Sequence, residues 1–338
     1  MNFFKLNKII TIFLFLIWIL PTSFIEASSL DTGITANMKP EFPRANQTVS
    51  ISLESYLTDL NRAEIYWYKN GILERGGLGE TGFSFDTKEV GSEENISIEI
   101  VSPNLGIMNK EIIVRPAEID LVWEADSYTP PFYKGKSLNS KQSDVTVVAV
   151  PNLIKESGEK ISSENLIYTW RKDWSVLGSK SGVGKNKLLL ESRDMLRDPV
   201  IVVDVETLDG LIKARRTITI NKYQPKILFY KKDALLGTLF NTSISKQFNL
   251  SEEEISVVVY PFFFSEKDFS QGNLQYNWSM NNKRINNDSD TLVLRQEGES
   301  AGMSILSLEI KNLNKIMQFS EEKFNILFGK EQGSLFGN

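Results

Sequence analysis

A short motif centred on tryptophan occurs three times in the sequence: Ile65-Tyr66-Trp67-Tyr68-Lys69-Asn70-Gly71, Tyr168-Thr169-Trp170-Arg171-Lys172-Asp173 and Tyr276-Asn277-Trp278-Ser279-Met280-Asn281. Consecutive tryptophans lie roughly 100 residues apart, which is the size of one β-sandwich domain. The spacing therefore predicts a tandem array of three units and not one large fold. Such an array indicates an architecture, but it points to no chemistry.

Alternating strands follow each motif. The first set is Phe83-Ser84-Phe85, Leu188-Leu189-Leu190 and Leu292-Val293-Leu294, and the second set is Ile96–Ile100, Val200–Val205 and Ile305–Ile310. Period-two alternation interrupted by frequent turns is typical of antiparallel sandwiches. We therefore predict an all-β protein of three tandem antiparallel sandwiches, at residues 28–116, 117–224 and 225–328, with Trp67, Trp170 and Trp278 in their cores.

The first sandwich is predicted to be short. Fewer residues precede Trp67 than precede the other two motif tryptophans, counted from Pro116 and Pro225. The sequence thus predicts that the first sandwich lacks a counterpart of the strand at Ile119–Trp123. A missing strand would leave a sheet edge that a strand of another chain can complete. The alternative is that Leu30–Met38 folds back and covers this edge.

The tryptophan motifs and the valine-rich strands that end in turns resemble the immunoglobulin-like and PKD-like sandwiches of secreted bacterial surface proteins. In pattern the resemblance covers residues 30–328, but the chain lacks the cysteine pair of true immunoglobulin domains. The stretch Tyr128-Thr129-Pro130-Pro131-Phe132-Tyr133-Lys134-Gly135-Lys136 also resembles exported proteins of candidate-phylum bacteria. These resemblances imply an immunoglobulin-like fold and no activity.

The first residues have the pattern of a signal peptide. Lys5 and Lys8 precede the apolar run Ile9–Leu20, and Ala27 is a small residue at the expected cleavage position. We therefore expect residues 1–27 to be removed and the protein to be secreted or held at the cell surface. An uncleaved segment is the alternative, and it would be the only membrane attachment. Residues 329–338 form a polar tail.

The composition excludes several classes of function. The net charge is −5, which argues against a nucleic-acid partner. The chain has no histidine and no cysteine, so the usual catalytic triads, common zinc sites and disulfides are excluded. No cofactor is predicted, and a partner, if there is one, is expected to be a protein or a cell surface.

Two stretches imitate ligand sites. The run Gly178–Asn186 resembles a phosphate-binding loop, but Ser179 and Asn186 stand where the motif requires glycine and serine or threonine. We interpret it as a hairpin loop. Asp204, Glu206 and Asp209 offer three carboxylates for calcium. Strand alternation followed by an Asp-Gly turn explains them as well, and no metal site is predicted.

The candidate contact surface is aromatic. Phe262, Phe263 and Phe264 are consecutive, and alternation cannot bury all three, so at least one is expected to point outward unless a neighbouring unit covers it. Trp123 and Trp174 are the other candidates. The function predicted is a non-enzymatic surface or extracellular binding or scaffolding protein; the alternatives are a carbohydrate-binding module and a carboxylate-based glycosidase.

Overall fold

The computed structural model describes residues 33–192, 197–298 and 300–329. The predicted signal peptide, and the predicted polar tail beyond Gly329, lie outside these residues. As far as it is described, the chain divides into two compact units. The first comprises Met1–Met38, Ser50–Ser84 and Asn95–Ile112, and the second comprises Lys39–Val49, Phe85–Glu94 and Ile113–Asn338. The protein is all-β, with three tandem immunoglobulin-like sandwiches.

The first sandwich follows the alternation of its sequence. Its strands are β1 (Ile34–Lys39), β2 (Thr48–Ser55), β3 (Glu64–Lys69), β4 (Ile72–Leu78), β5 (Gly82–Asp86), β6 (Glu94–Ser102) and β7 (Gly106–Val114), with a 3₁₀ turn at Leu60–Arg62. They form two sheets, in the orders β1-β2-β5 and β4-β3-β6-β7. Trp67 of β3 stacks on Phe83 of β5, with the ring centroids 5.5 Å apart, so the two sheets pack together through this pair.

The prediction that the first sandwich lacks its opening strand is wrong. β1 lies beside β2 at the edge of the sheet, and Ile34 at its start is buried. The sequence is short because the connection between the first two strands is short: it is residues 40–47 here and 126–144 in the second sandwich. The missing length belongs to a loop. Of the segment Leu30–Met38, the part from Ile34 onward is in β1, and residues 30–32 lie outside the described chain.

The second sandwich has the same plan. Its strands are β8 (Glu118–Ala125), β9 (Val145–Asn152), β10 (Leu166–Lys172), β11 (Ser175–Val176), β12 (Gly182–Val183), β13 (Lys187–Leu190), β14 (Val200–Thr207) and β15 (Lys213–Thr219), with 3₁₀ turns at Ser163–Asn165 and Gly178–Lys180. One sheet has the order β13-β9-β8, and the other has the order β11-β10-β14-β15, with β12 also paired to β10. Side chains of both sheets form one apolar core.

The third sandwich is larger. It comprises β16 (Lys226–Asp233), β17 (Gly237–Thr238), β18 (Gln247–Leu250), β19 (Glu254–Phe262), the one-turn helix α1 (Glu266–Ser270), β20 (Leu274–Met280), β21 (Lys283–Arg284), β22 (Thr291–Arg295), β23 (Gly302–Asn312) and β24 (Phe319–Phe328). The sheet orders are β17-β16-β19-β22 and β18-β24-β23-β20-β21. Here β18 pairs with β24 in parallel, a departure from the antiparallel pattern that alternation alone could not reveal.

The three motif tryptophans occupy equivalent positions. Trp67, Trp170 and Trp278 are fully buried and lie opposite Ile98, Val203 and Leu308 of the neighbouring strand. Each indole Nε1–H donates to a main-chain carbonyl, at Glu80, Lys185 and Ser289, over 2.7, 2.8 and 2.9 Å. The repeat therefore includes the polar partner that a buried indole requires.

Candidate functional site: the junction of the second and third sandwiches

Residues 126–144, which follow the first strand of the second sandwich, reach the third sandwich; we call them the second connector. The N–H of Tyr128 donates to the carbonyl of Phe264 over 2.6 Å, and the N–H of Phe263 donates to the carbonyl of Tyr128 over 2.7 Å. This exchange has the form of a β-ladder pair. It fixes the second connector to the end of β19.

The expectation that one residue of Phe262–Phe264 points outward is wrong. All three are buried, because Phe263 has a left-handed φ of 65° and the strand alternation ends there. Phe264 then turns into the core of the third sandwich. Phe262 and Phe263 are covered by Tyr133, whose ring centroid lies 5.6 and 5.9 Å from theirs. Of the two readings of this run, coverage by the neighbouring sandwich is the correct one.

Phe132 is the centre of an aromatic cluster at this junction. Its ring centroid lies 4.2 Å from Phe240, 5.4 Å from Tyr260, 5.7 Å from Tyr230 and 6.2 Å from Phe262. Several contacts are edge-to-face, the arrangement that aromatic quadrupoles favour. Burial, and secondly the neighbouring Tyr260, raises the pKa of Tyr230 above its ordinary value. The cluster is therefore a desolvated contact between a connector and a sheet face.

A buried polar network lies beside the aromatic cluster. Gln318, just before β24, is fully buried, and its Nε2 donates to Ser140 Oγ, Ser143 Oγ and the carbonyl of Lys141 over 3.1, 3.1 and 2.9 Å. Its Oε1 accepts from the N–H of Ser265 over 2.9 Å. A network of this kind is stable only when its groups are aligned. It thus specifies one relative placement of the second connector and the third sandwich.

Asp268 of α1 extends this network within the third sandwich. Its carboxylate accepts from Asn314 Nδ2 over 2.8 Å and from Asn312 Nδ2 over 2.9 Å. Burial alone raises the pKa of this carboxyl, but the hydrogen bonds from Asn314, Asn312 and Ser265 outweigh it, and the net pKa lies below the ordinary value. Asp268 is thus held ionised, and Asn312 links it to Gln318 over 2.9 Å.

A second set of contacts joins the first two sandwiches, all of it inside the second compact unit. Residues 40–47 form the first connector. Arg215 of β15 pairs with Glu41 over 3.2 Å and places its guanidinium 4.2 Å from the ring centroid of Phe42. The carbonyl of Pro43 accepts from the N–H of Ala117 over 3.2 Å. The first connector therefore reaches the following sandwich, as the second connector does.

The other two candidate tryptophans have different surroundings. Trp123 is half-buried against the core of the second sandwich, and Lys136 Nζ lies 3.2 Å from its ring centroid, so one face is covered. Trp174 is 71 % exposed. It stands at the tip of the β10–β11 hairpin with a φ of 69°, where a bulky residue is strained.

The hairpins equivalent to β10–β11 show why Trp174 is unusual. In each sandwich a two-residue loop follows the tryptophan strand, and its residues have positive φ: Asn70-Gly71, Asp173-Trp174 and Asn281-Asn282. This is the type I′ geometry, which glycine and asparagine adopt at low cost. Only in the second sandwich, among these three, does a large aromatic residue occupy the second position, so its side chain is displayed at a cost in backbone strain.

The carboxylates considered for calcium are each engaged separately. Asp204 is held between Arg171 and Arg215, the latter over 2.5 Å, and Glu206 pairs with Lys213 over 3.1 Å. Asp209 accepts from Thr207 Oγ1 and from the N–H of Leu211, which lowers its pKa. Within the described residues, no group of three or more acidic side chains is placed to hold a metal ion.

The run Gly178–Asn186 forms a tied hairpin loop. Ser181 Oγ accepts from the N–H of Trp170 and donates to the carbonyl of Leu177, both over 2.9 Å. Lys185 Nζ donates to the carbonyl of Ser179 over 3.0 Å. The lysine that a phosphate loop would use is thus directed at the loop itself. In the described part of the chain, no helix is long and apolar enough to span a membrane.

Comparison with known proteins gives similarity to solved structures alone. No protein-family model matches the chain, and no curated protein matches it. Similar structures include the three N-terminal domains of the bacteriophage RB49 outer capsid protein Hoc, at 12 % identity and a TM-score of 0.25, covering 88 % of this chain and 99 % of that one. The fibronectin(III)-like modules of Clostridium thermocellum CbhA follow at 13 % identity and 0.26, covering 56 % and 95 %. Immunoglobulin domains 1–4 of Sidekick-1 have 9 % identity and 0.20, covering 88 % and 74 %. At these TM-scores we draw no functional inference from the likeness.

Sequence reasoning missed most of the junction. Gln318, Asn312, Asp268 and Ser140 are ordinary polar residues in the sequence, and only the fold brings them together. One signal was present: the aromatic pair Phe132-Tyr133 follows two prolines in a stretch without alternation. Apolar side chains there belong to no strand of their own sandwich, which indicates that another surface covers them.

Proposed function

We propose that this protein is a non-enzymatic, exported surface or extracellular component that acts as a scaffold, holding immunoglobulin-like modules in a fixed arrangement. The observation that carries the proposal is the network around Gln318, in which one buried side chain bridges the second connector and the third sandwich. The positive residues and apolar run before Ala27 support export.

A fixed arrangement is a specific property of this junction. Domains joined by small polar contacts usually move relative to one another. Here Gln318 would lose buried hydrogen-bond partners on any rotation of the second connector, at a cost of about 1–3 kcal/mol for each polar group left unsatisfied. The aromatic cluster around Phe132 adds apolar area that rotation would expose to water. Both terms favour one orientation.

The engagement of the acidic side chains supports a non-enzymatic role. A carboxylate-based glycosidase needs two carboxyl groups facing a common cleft. Asp204 is neutralised by two arginines, Asp268 is held by two asparagines, and Glu254 pairs with Arg295 over 2.5 Å. These interactions stabilise the sandwiches and leave those groups committed.

Two assays test the proposal. Fusion of residues 1–45 to a phosphatase that is active only after export should give activity, and replacing Lys5 and Lys8 by glutamate should abolish it. The purified protein should release no product from a panel of glycans, even on long incubation. Hydrolysis that disappears on replacing a single carboxylate would refute the non-enzymatic role, whereas an inactive fusion would refute export alone.

Glycan binding is a second candidate function, favoured by the exposed and strained Trp174. An aromatic ring at a hairpin tip can stack on a sugar ring, and a displayed side chain that costs backbone strain suggests a use. The variant Trp174→Asn installs the residue of the third hairpin and should keep the fold. Glycan binding that Trp174→Asn abolishes and Trp123→Phe retains would favour this function; binding unchanged in Trp174→Asn would exclude it.

A further inference from the structure

The third sandwich has its own segment in the position of the first two connectors. Residues 234–236, between β16 and β17, are the third connector. Leu235 is 95 % exposed and Leu236 is 78 % exposed. In the preceding sandwiches the corresponding segment places Phe42 and Phe132 against the next sandwich. In the third connector two large apolar side chains are displayed instead.

The third connector is a built turn. The carboxylate of Asp233 accepts from the N–H of Leu235 over 2.8 Å and from the N–H of Leu236 over 2.9 Å. These hydrogen bonds fix the backbone, and they lower the pKa of Asp233. The two leucines are therefore presented in a set geometry, which reduces the entropy lost when a partner binds them.

An apolar cavity opens at the same end of the third sandwich. The last residues of β16 pair with the first residues of β19, and Glu254 of β19 pairs with Arg295 of β22. Arg295 lines a cavity of about 360 Å³, whose apolar walls include Leu250, Leu292, Ile326 and Phe328. This end of the sandwich thus exposes apolar surface both on the third connector and between the sheets.

The complementary surface is found where a second strand ends. In the third sandwich, Phe263 and Phe264 directly follow β19 and are covered by Tyr128 and Tyr133. In the second sandwich, Ile154 follows β9, and a Cβ atom on Gly91 would lie 2.8 Å from it, so residues 85–94 cover it closely. In the first sandwich, Tyr56 and Leu57 directly follow β2 and are 95 % and 61 % exposed.

We infer that Leu235 and Leu236 of one copy of this chain dock on Tyr56 and Leu57 of a second copy. The reason to choose a second copy is that both halves of the contact are present on the same chain. Each half is buried in the junctions that the chain makes within itself. The contact is heterologous, joining two different surfaces, and such contacts produce open chains of subunits or closed rings. The inference extends the proposed scaffold from one molecule to an assembly.

Sedimentation velocity on residues 28–338, over about three decades of concentration, tests the inference. The average mass is expected to rise with concentration. Leu235→Asp with Leu236→Asp should abolish the rise, as should Tyr56→Asp with Leu57→Asp. Ile316→Asp is the matched control, because Ile316 is an equally exposed apolar residue outside both surfaces. It should associate as the parent does.

Mixing the two double variants gives the decisive result. Each keeps one intact surface, so an equimolar mixture should form one-to-one dimers and nothing larger. A parent that stays monomeric throughout, or association that survives both double variants, would overturn the inference. So would a mixture that stays monomeric while both variants retain the parent circular dichroism and melting temperature. None of these outcomes affects the rigidity or export of the single molecule, so the scaffold proposal fails or stands separately.

Discussion

The guanidinium of Arg215 lies 4.2 Å from the ring centroid of Phe42, so β15 of the second sandwich is covered by the connector of the first. The same guanidinium bonds to Asp204 and to Glu41. One side chain thereby joins a cross-strand ion pair, an inter-sandwich ion pair and a cation–π contact. Arginine suits this position because its planar fork can hydrogen-bond while its face stacks on a ring.

Replacing Arg215 by lysine should therefore be costly although the charge is kept. An ammonium group cannot hold Asp204 and Glu41 and stack on Phe42 at the same time. We expect a loss of about 1 kcal/mol in the free energy of unfolding, the usual range of a partly desolvated cation–π contact. Urea denaturation measures it. Arg75→Lys, in an exposed ion pair with Glu80, is the control, and equal effects of the two changes would contradict the assignment.

Replacing Trp170 by alanine should destabilise the second sandwich by about 3–5 kcal/mol, the usual cost of removing a buried tryptophan. The change leaves a cavity in the core and removes the donor to the carbonyl of Lys185. Calorimetry should show a lower melting temperature. The same result is expected for Trp67 and Trp278, and a variant that melts like the parent would show that its tryptophan is not a core residue.

Replacing Trp174 by asparagine should stabilise the protein. Its φ of 69° is one that asparagine adopts more readily than a bulky aromatic residue, and relief of such strain is worth about 1 kcal/mol. The melting temperature of the second sandwich should rise. The reciprocal change, Asn282→Trp, should lower stability in the equivalent hairpin. A fall in stability for Trp174→Asn would show that its ring makes contacts that outweigh the strain.

Acid should loosen the third sandwich through Asp268. Because its pKa is lower in the folded protein than in the unfolded chain, its contribution to stability is complete above the ordinary carboxyl pKa. The contribution is lost as the pH falls through the folded value. Asp268→Asn should cost about 1–3 kcal/mol near neutral pH, since its amide would face the donors of Asn312 and Asn314. It should also flatten the decline of stability in acid; an unchanged slope would contradict this role.

Much of the fold could be predicted from the sequence, because core tryptophans and alternating strands are local signals. Trp67, Trp170 and Trp278 lie where period-two burial places them. The strand β1 was missed because its absence was inferred from a short length, whereas the length was missing from the first connector. The parallel pair β18–β24 also carries no local signal.

The candidate site was harder to predict, because it depends on contacts between residues far apart in the chain. The burial of Phe262–Phe264 depends on the positive φ of Phe263, which interrupts the alternation on which the prediction rested. Gln318 and Ser140 are separated by most of two sandwiches in sequence. No pattern along the chain places an amide opposite two serine hydroxyls, so this part of the site required the folded structure.

The central claim is that the second connector locks the second and third sandwiches into one arrangement. Because the chain has no cysteine, spin labels can be attached at exposed positions by the changes Thr217→Cys on β15 and Lys323→Cys on β24. Pulsed electron–electron double resonance then gives the distribution of distances between the two labels. We predict a single narrow distribution that broadens when Phe132→Ala and Gln318→Ala are added. A broad distribution without those changes, or a narrow one that they leave unaltered, would contradict the account.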